Sequence, residues 1–248
     1  NDRPEVRAVM QFFSTGEGIR GWLAAGGALG MQKDIDPAWY GSDLERDLAA
    51  LVADATSVRF DGSDLMPGAV GSGSFWKGMT DYFSGAADLD TVLAEIDASW
   101  PKDATAVGGT GDADTAAAVS VGASAEGATT VGLTELANAY NGDYAGTVVT
   151  MNGPFTDEDA VRFESSVAAF EEATGIDIQY EGSKEFEASI GVRFEAGDAP
   201  DIVDFPQPGL MATFAKQGQI VPATDLVPDS WLAQNYLQSW RDMATIDA

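Results

Sequence analysis

From residue 131 onward the chain alternates between the two periodicities of protein structure, and this alternation restricts the fold more than any other feature. "GTVVTMN" is a β-branched run of the kind that fits the pleated surface of a strand. "TDEDAVRFESSVAAFEEATG" carries apolar residues at helical spacing, opens at Thr156 with Asp159 three positions on, and stops at Gly175. Then come "IDIQYEG" as a strand, "KEFEASIGVRFEAG" as a helix, "PDIVDF" as a strand, "GLMATFAKQG" as a helix and "QIVPAT" as a short strand. Strands joined through helices run parallel, and right-handed crossovers place those helices on both faces of the sheet. The expected fold class is therefore α/β, a lobe with a mainly parallel sheet flanked by helices over residues 131–248.

Residues 1–100 follow a different pattern and predict a succession of helices without obvious strands. In "RPEVRAVMQFFST", Pro4 suits a first helical turn, and Val6, Val9, Met10 and Phe13 fall on one face. "GEGIRGWLAAGG" continues with Ile19, Trp22 and Leu23 and stops at Gly26 and Gly27. Ser42 and Glu45 form a capping box ahead of Leu44, Leu48, Leu51 and Val52. "FWKGMTDYFSG" and "DLDTVLAEIDASW" supply two more helices, the second with Leu89, Val92, Leu93 and Ile96 on one stripe.

Between these halves, residues 101–130, "PKDATAVGGTGDADTAAAVSVGASAEGATT", hold almost nothing but Ala, Gly, Thr, Ser, Val and Asp. A segment without aromatics buries too little apolar surface to offset its ordering entropy, so composition predicts a flexible tether here.

The chain has 248 residues, 45% of them hydrophobic, which supports a real core. It carries 13 Lys and Arg against 40 Asp and Glu, a net charge of -27, and this repels phosphate backbones and anionic lipid. Nucleic acid is thereby disfavoured as a partner, and the spread of acidic residues reads as a solvated, salt-adapted surface. The chain contains no Cys and no His, which excludes disulfides, Cys nucleophiles, His-based triads and His- or Cys-ligated metals. No cofactor is expected. The N-terminal "NDRPEVRAVM" has neither the basic region nor the apolar core of a signal peptide, and no uncharged run reaches the length of a membrane span.

In an open parallel sheet, ligands bind outside the carboxyl ends of the strands. The loops to consider are "NGPFT", "EGSKEFE" and "FPQPG", which offer Asn152, Phe155, Lys184, Glu185, Glu187, Asp204, Phe205 and Gln207. Amide, carboxylate and aromatic groups together suit a sugar, whose hydroxyls need donors and acceptors and whose C–H faces stack on rings. The plainer alternative is that Asn152, Gly153 and Pro154 are turn chemistry and that Phe155 and Phe205 are core. In the helical half, "SDLMPGAVGSGSFWKG" places Trp76 at a helix start after a Gly/Ser-rich span, either facing a ligand or as the first core aromatic of its helix.

These segments carry a family resemblance. The stretch 156–227, with "FEEATGIDI", "GDAPDIV" and "FAKQGQIVP", resembles the start of a bacterial extracellular solute-binding protein of the maltose- and α-glucoside-binding type. "RPEVRAVMQFFSTGEGIRGWLAAGG" and "DLMPGAVGSGSFWKGMTDYFSG" resemble the C-terminal part of the same family. The resemblance implies a periplasmic-binding-protein-like lobe that binds sugar without catalysis, with a stacking role for Trp76. It carries the strand-end loops over to Asn152, Gly153, Pro154, Phe155, Phe205 and Gln207, and also Lys184 and Glu187. It further implies an extracytoplasmic parent protein and a membrane ABC permease as its partner.

In that family the segment resembling 131–248 comes first and the one resembling 1–100 comes last. The reversed order implies a circular permutant, with "GGTG" as an engineered joint between old termini and most of one lobe absent or held on another chain. A split binding module or sensor component is the purpose such a chain would serve. The rival from the enzyme class is a glycoside hydrolase using a carboxylate pair drawn from Glu185, Glu187 and Asp204.

Overall fold

The computed structural model describes residues 1–55, 66–102 and 119–246. Its elements are α1 (Pro4–Phe13), α2 (Glu17–Ala25), α3 (Asp43–Ala53), α4 (Trp76–Ser84), α5 (Leu89–Ser99), α6 (Ala125–Thr130), α7 (Thr134–Tyr140), β1 (Val148–Gly153), α8 (Glu158–Thr174), β2 (Asp177–Gly182), α9 (Phe186–Ala196), β3 (Ile202–Val203), α10 (Pro208–Lys216), α11 (Ala223–Leu226), α12 (Asp229–Asn235) and α13 (Gln238–Met243). They fall into two compact units, the first drawing on residues 1–55, 119–204 and 221–241 and the second on 66–102, 205–220 and 242–246. No helix among the described residues is long and apolar enough to cross a membrane.

The first unit holds the α/β architecture. β1 pairs in parallel with β2 from Val148↔Asp177 to Gly153↔Gly182, and with β3 at Met151↔Ile202 and Asn152↔Val203, giving the order β2-β1-β3. Strand alternation sends Val149 and Met151 into a core shared with Phe163, Val167 and Phe170 of α8. α8 ends where expected, at Gly175 in the left-handed conformation. Its start differs: the helix begins after Asp157, and the Thr156 hydroxyl donates to the Asp157 carboxylate at 3.2 Å instead of capping. "QIVPAT" is not a strand either, because Pro222 has no N–H for a ladder and opens the four-residue α11.

The N-terminal helices are built into this same core. Val6, Val9 and Phe12 of α1 are buried beside Val149 and Met151, and Phe12 stacks on Phe170 with centroids 4.3 Å apart. Each such side chain contributes about 1.5–3 kcal/mol when fully buried. Buried polar groups add direction. Gln11, 5% exposed, donates through Nε2 to the Leu226 carbonyl at 2.8 Å and accepts the Leu136 N–H at 2.8 Å. The Trp231 indole donates to Ser14 Oγ at 3.1 Å and the Tyr236 hydroxyl to the Ser14 carbonyl at 2.9 Å. α2 lies against α8 so closely that a Cβ at Gly21 would sit 2.7 Å from the Ser165 carbonyl oxygen, which requires glycine there.

Composition misjudges the end of the supposed tether. Residues 103–118, including the "GGTG" joint, lie outside the described residues, whereas 119–130 are folded. Val121 and Ala128 are buried in the core of the first unit, and α6 is capped by Ser124, whose hydroxyl accepts the Gly127 N–H at 3.2 Å. Small residues need little area of their own when neighbouring helices supply the core, so low apolar content did not mean disorder. α7, α12 and α13 are further elements that the sequence pattern did not single out.

α3 forms as its capping box predicts, with Ser42 Oγ accepting the Glu45 N–H at 3.2 Å, yet Leu44, Leu48 and Leu51 are all exposed. In the second unit, α4 and α5 pack with the wide π-helical segment Ala69–Phe75 around Val70, Val92 and Ile96. α5 is capped by Asp88, which accepts the Thr91 N–H at 2.9 Å. Of its predicted stripe only Val92 and Ile96 are buried, while Leu89 and Leu93 face solvent.

Candidate ligand-binding site

The carboxyl end of β1 lies between those of β2 and β3, and its last residues determine what gathers there. Asn152 is 2% exposed; its Nδ2 donates to the Glu181 carbonyl at 2.7 Å and its backbone carbonyl accepts the Asp204 N–H at 2.9 Å. Its Oδ1 is buried without a partner among the described residues, a costly state for an amide oxygen. Gly153 follows, and a Cβ there would fall 2.2 Å from the Tyr180 hydroxyl oxygen and 2.8 Å from Asp204 Cβ. The missing side chain leaves space in which Tyr180 of β2 reaches over β1 to the residue after β3.

The Tyr180 hydroxyl donates to Asp204 Oδ2 at 3.2 Å and accepts the Phe155 N–H at 3.2 Å. Burial pushes the Asp204 carboxyl up to about 6, with the Tyr180 hydrogen bond pulling partly back. Burial also raises the Tyr180 hydroxyl well above its usual range. Tyr180 was not among the residues singled out from the sequence; the signal that marks it is an aromatic two positions before the glycine that ends β2.

Phe155 is half-buried, and its ring stacks on Tyr180 at 5.5 Å and an interplanar angle of 18°, with Trp22 at 4.7 Å and Phe163 at 6.1 Å. Its ring therefore belongs to an aromatic cluster, as the plainer reading had it. The half-buried Pro154 connects it to Gly153. Lys184 and Asp157 form an exposed ion pair at 2.9 Å, and Asp157 adopts φ 55°, the non-glycine residue in that region among those described. Such a conformation costs on the order of 1–3 kcal/mol and persists only where surroundings hold it. Glu187 is exposed in the first turn of α9.

Three predicted residues belong to the second unit. Trp76 opens α4 and is 52% exposed, with its ring edge-on to Phe75 at 5.7 Å, so it is not the buried core aromatic of its helix. Phe205 is half-buried and packs on Phe214 at 5.3 Å. Gln207 is buried at the extended position that precedes α10. The part of the "SDLMPGAVGSGSFWKG" loop before Met66 lies outside the described residues.

A groove of about 270 Å³ on the first unit is lined by Gln179, Glu181, Arg193 and Asp198 among others, and by none of the predicted residues. Its cation is already held, since Arg193 Nη1 lies 2.8 Å from Glu181 Oε2.

Comparison with known proteins finds a family match over part of the chain. Residues 152–246 match the family described as bacterial extracellular solute-binding protein. The chain is 40% identical over 107 residues to the osmoprotective compounds-binding protein GgtB of Synechocystis, covering 43% of this chain and 25% of that protein. It is also 40% identical over 105 residues to the alpha-glucosides-binding periplasmic protein AglE of Rhizobium meliloti, covering 42% of this chain and 23% of that one. The chain thus spans about a quarter of the length of these curated relatives. No solved structure matches with significance. The family match runs from the end of β1 through α13, a stretch that carries the strand-end loops.

Proposed function

We propose that this chain is the carbohydrate-binding part of an extracytoplasmic solute-binding protein serving an ABC importer, with α-glucosides and related polyhydroxyl solutes as ligands. The observation that carries the reading is the position of the family match, which begins at Asn152 where the central strand ends. Amide, aromatic and charged groups in the loops after β1 and β2 support it, as does the exposed indole of Trp76. Both relatives are named as binding proteins, which fits a non-enzymatic role, and nothing favours the glycoside-hydrolase alternative: Asp204 is already bound by Tyr180.

The finer part of the proposal is that residues 1–100 correspond to the family's C-terminal part, set first by permutation, with a complementary lobe supplied on another chain. The shared core of α1, β1 and α8 supports the assignment of the N-terminal helices to this lobe. Calorimetry with maltose, trehalose, sucrose and glucose, with and without the complementary segment, tests both parts. Binding of a glucoside that strengthens when the segment is added and weakens at least tenfold in Trp76→Ala is expected. Absence of binding in both states overturns the sugar reading, and binding that the segment does not change overturns the split.

A further inference from the structure

We infer that Asp204 is a positioning residue: through the Tyr180 hydroxyl it holds the loop that follows β1, and its proton decides how firmly the loop is held. The geometry carries this. Tyr180 extends from β2 across the space left open at Gly153, and its hydroxyl oxygen connects two groups that the sheet would otherwise keep apart. On one side is the Asp204 carboxylate at 3.2 Å, at the end of β3, and on the other the Phe155 N–H at 3.2 Å, in the loop itself. Phe155 is further clamped by its ring on Tyr180 and by Trp22. One hydroxyl thus ties β2, the residue after β3 and the β1 loop together, and it does so beside the strand ends where the proposed ligand would sit.

The sign of the proton's effect follows from the surroundings. Tyr180 is the titratable group that faces Asp204 from β2; β1 presents Gly153 and the loop presents Phe155, and neither titrates. Among the described residues no cation shifts the Asp204 carboxyl, so its charged form is stabilised by one hydroxyl against burial. Opening the loop would return the carboxylate to water. Ionisation therefore favours the open form and protonation the closed one: with the carboxyl raised in the closed form, the tie is firm below the pH of ordinary carboxylate titration and loosens as pH rises through about 6. The population of the open loop then grows by up to about a hundredfold.

Hydrogen exchange of the Phe155 amide, corrected for its intrinsic pH dependence, reads the tie without any ligand. Protection is expected to fall by about tenfold between pH 5 and pH 7.5 in the native chain. Asp204→Asn, whose side-chain oxygen still accepts from Tyr180, is expected to stay protected at both pH values. Tyr180→Phe, which removes the acceptor of the Phe155 N–H, is expected to be poorly protected at both. A native profile without the step, or a step of the same size in Asp204→Asn, overturns the inference, and Asp204→Asn is interpretable even if Tyr180→Phe does not fold. The consequence for binding rests on the sugar reading: maltose affinity measured by calorimetry is expected to follow the same step in the native chain and to be flat in Asp204→Asn. A step in Phe155 protection with no maltose heat at either pH refutes the sugar reading while leaving the tie intact.

Discussion

Replacing Asp201 by Ala should loosen the N-terminal segment from the sheet and destabilise the first unit by about 3 kcal/mol at pH 7. The Asp201 side chain is 5% exposed, and its carboxylate accepts from Arg3 Nη2 at 2.8 Å, Asn1 Nδ2 at 2.9 Å, Thr150 N at 3.0 Å and Thr150 Oγ1 at 3.1 Å. Arg3 is 43% exposed, so water takes over much of its share and that contact supplies no more than about 1 kcal/mol. The two bonds from Thr150 to a carboxylate supply the larger part, about 2 kcal/mol together. Burial alone would raise the Asp201 carboxyl, but the bonds from Thr150 and Asn1 and the Arg3 charge outweigh it and hold it below its ordinary value. The stabilisation is therefore fully present above the unfolded carboxylate range and is lost as pH falls through the lower folded value. Urea unfolding of native chain and Asp201→Ala, followed by circular dichroism, should give curves well separated at pH 7 that converge in acid, once the carboxylate is protonated in the folded chain. Arg3→Ala combined with Asp201→Ala should show a coupling near 1 kcal/mol, the exposed-pair value. A cost below about 0.5 kcal/mol at pH 7, or an equal cost at both pH values, would refute this account of how the first helix is attached.

Gln11→Leu keeps the volume of the side chain but leaves the Leu136 N–H and the Leu226 carbonyl without their partner, so a loss of about 2–4 kcal/mol in chemical denaturation is expected. Gly153→Ala places a methyl 2.2 Å from the Tyr180 hydroxyl; about 2 kcal/mol or more of destabilisation should appear in thermal melts, together with exchange of the Phe155 amide at both acid and neutral pH. A chain with net charge -27 repels itself, so raising NaCl from about 0.05 to 1 M should raise the melting temperature by several degrees, and a flat salt response would argue against an electrostatic cost to compaction.

Local rules carried the reading of the elements a long way. Ser42, Asp88, Gly175 and Gly197 each start or stop a helix through contacts within a few residues, and such signals survive in any tertiary setting. α7 lacks such a signal at its start. The N–H of Leu136 in its first turn is satisfied by Gln11, 125 positions away, so the start is set by a residue that no local window contains. "QIVPAT" failed because its β-branched pair is followed by Pro222, which has no N–H for a ladder and leads into α11. The stripe of α3 was also legible and its burial was not, since amphipathicity specifies a face but not the surface that covers it.

At the strand ends, residue type selected the loops and spatial neighbours decided what each side chain touches. Phe155 was chosen as a ring for a sugar; its ring lies on Tyr180 beside Trp22, and its backbone N–H is held by the Tyr180 hydroxyl. Asn152 was chosen as an amide for hydroxyl groups, but its Nδ2 is engaged by the neighbouring strand. Exposed charged side chains follow β1 and β2, Asp157, Lys184, Glu185 and Glu187, the first two paired with each other. Gly153 is the last paired residue of β1 and not part of a turn, and it leaves the room through which Tyr180 reaches Asp204. The loop's shape therefore depends on a tyrosine and an aspartate contributed by the two flanking strands, and substitutions at those positions should alter ligand affinity as much as substitutions within "NGPFT" itself.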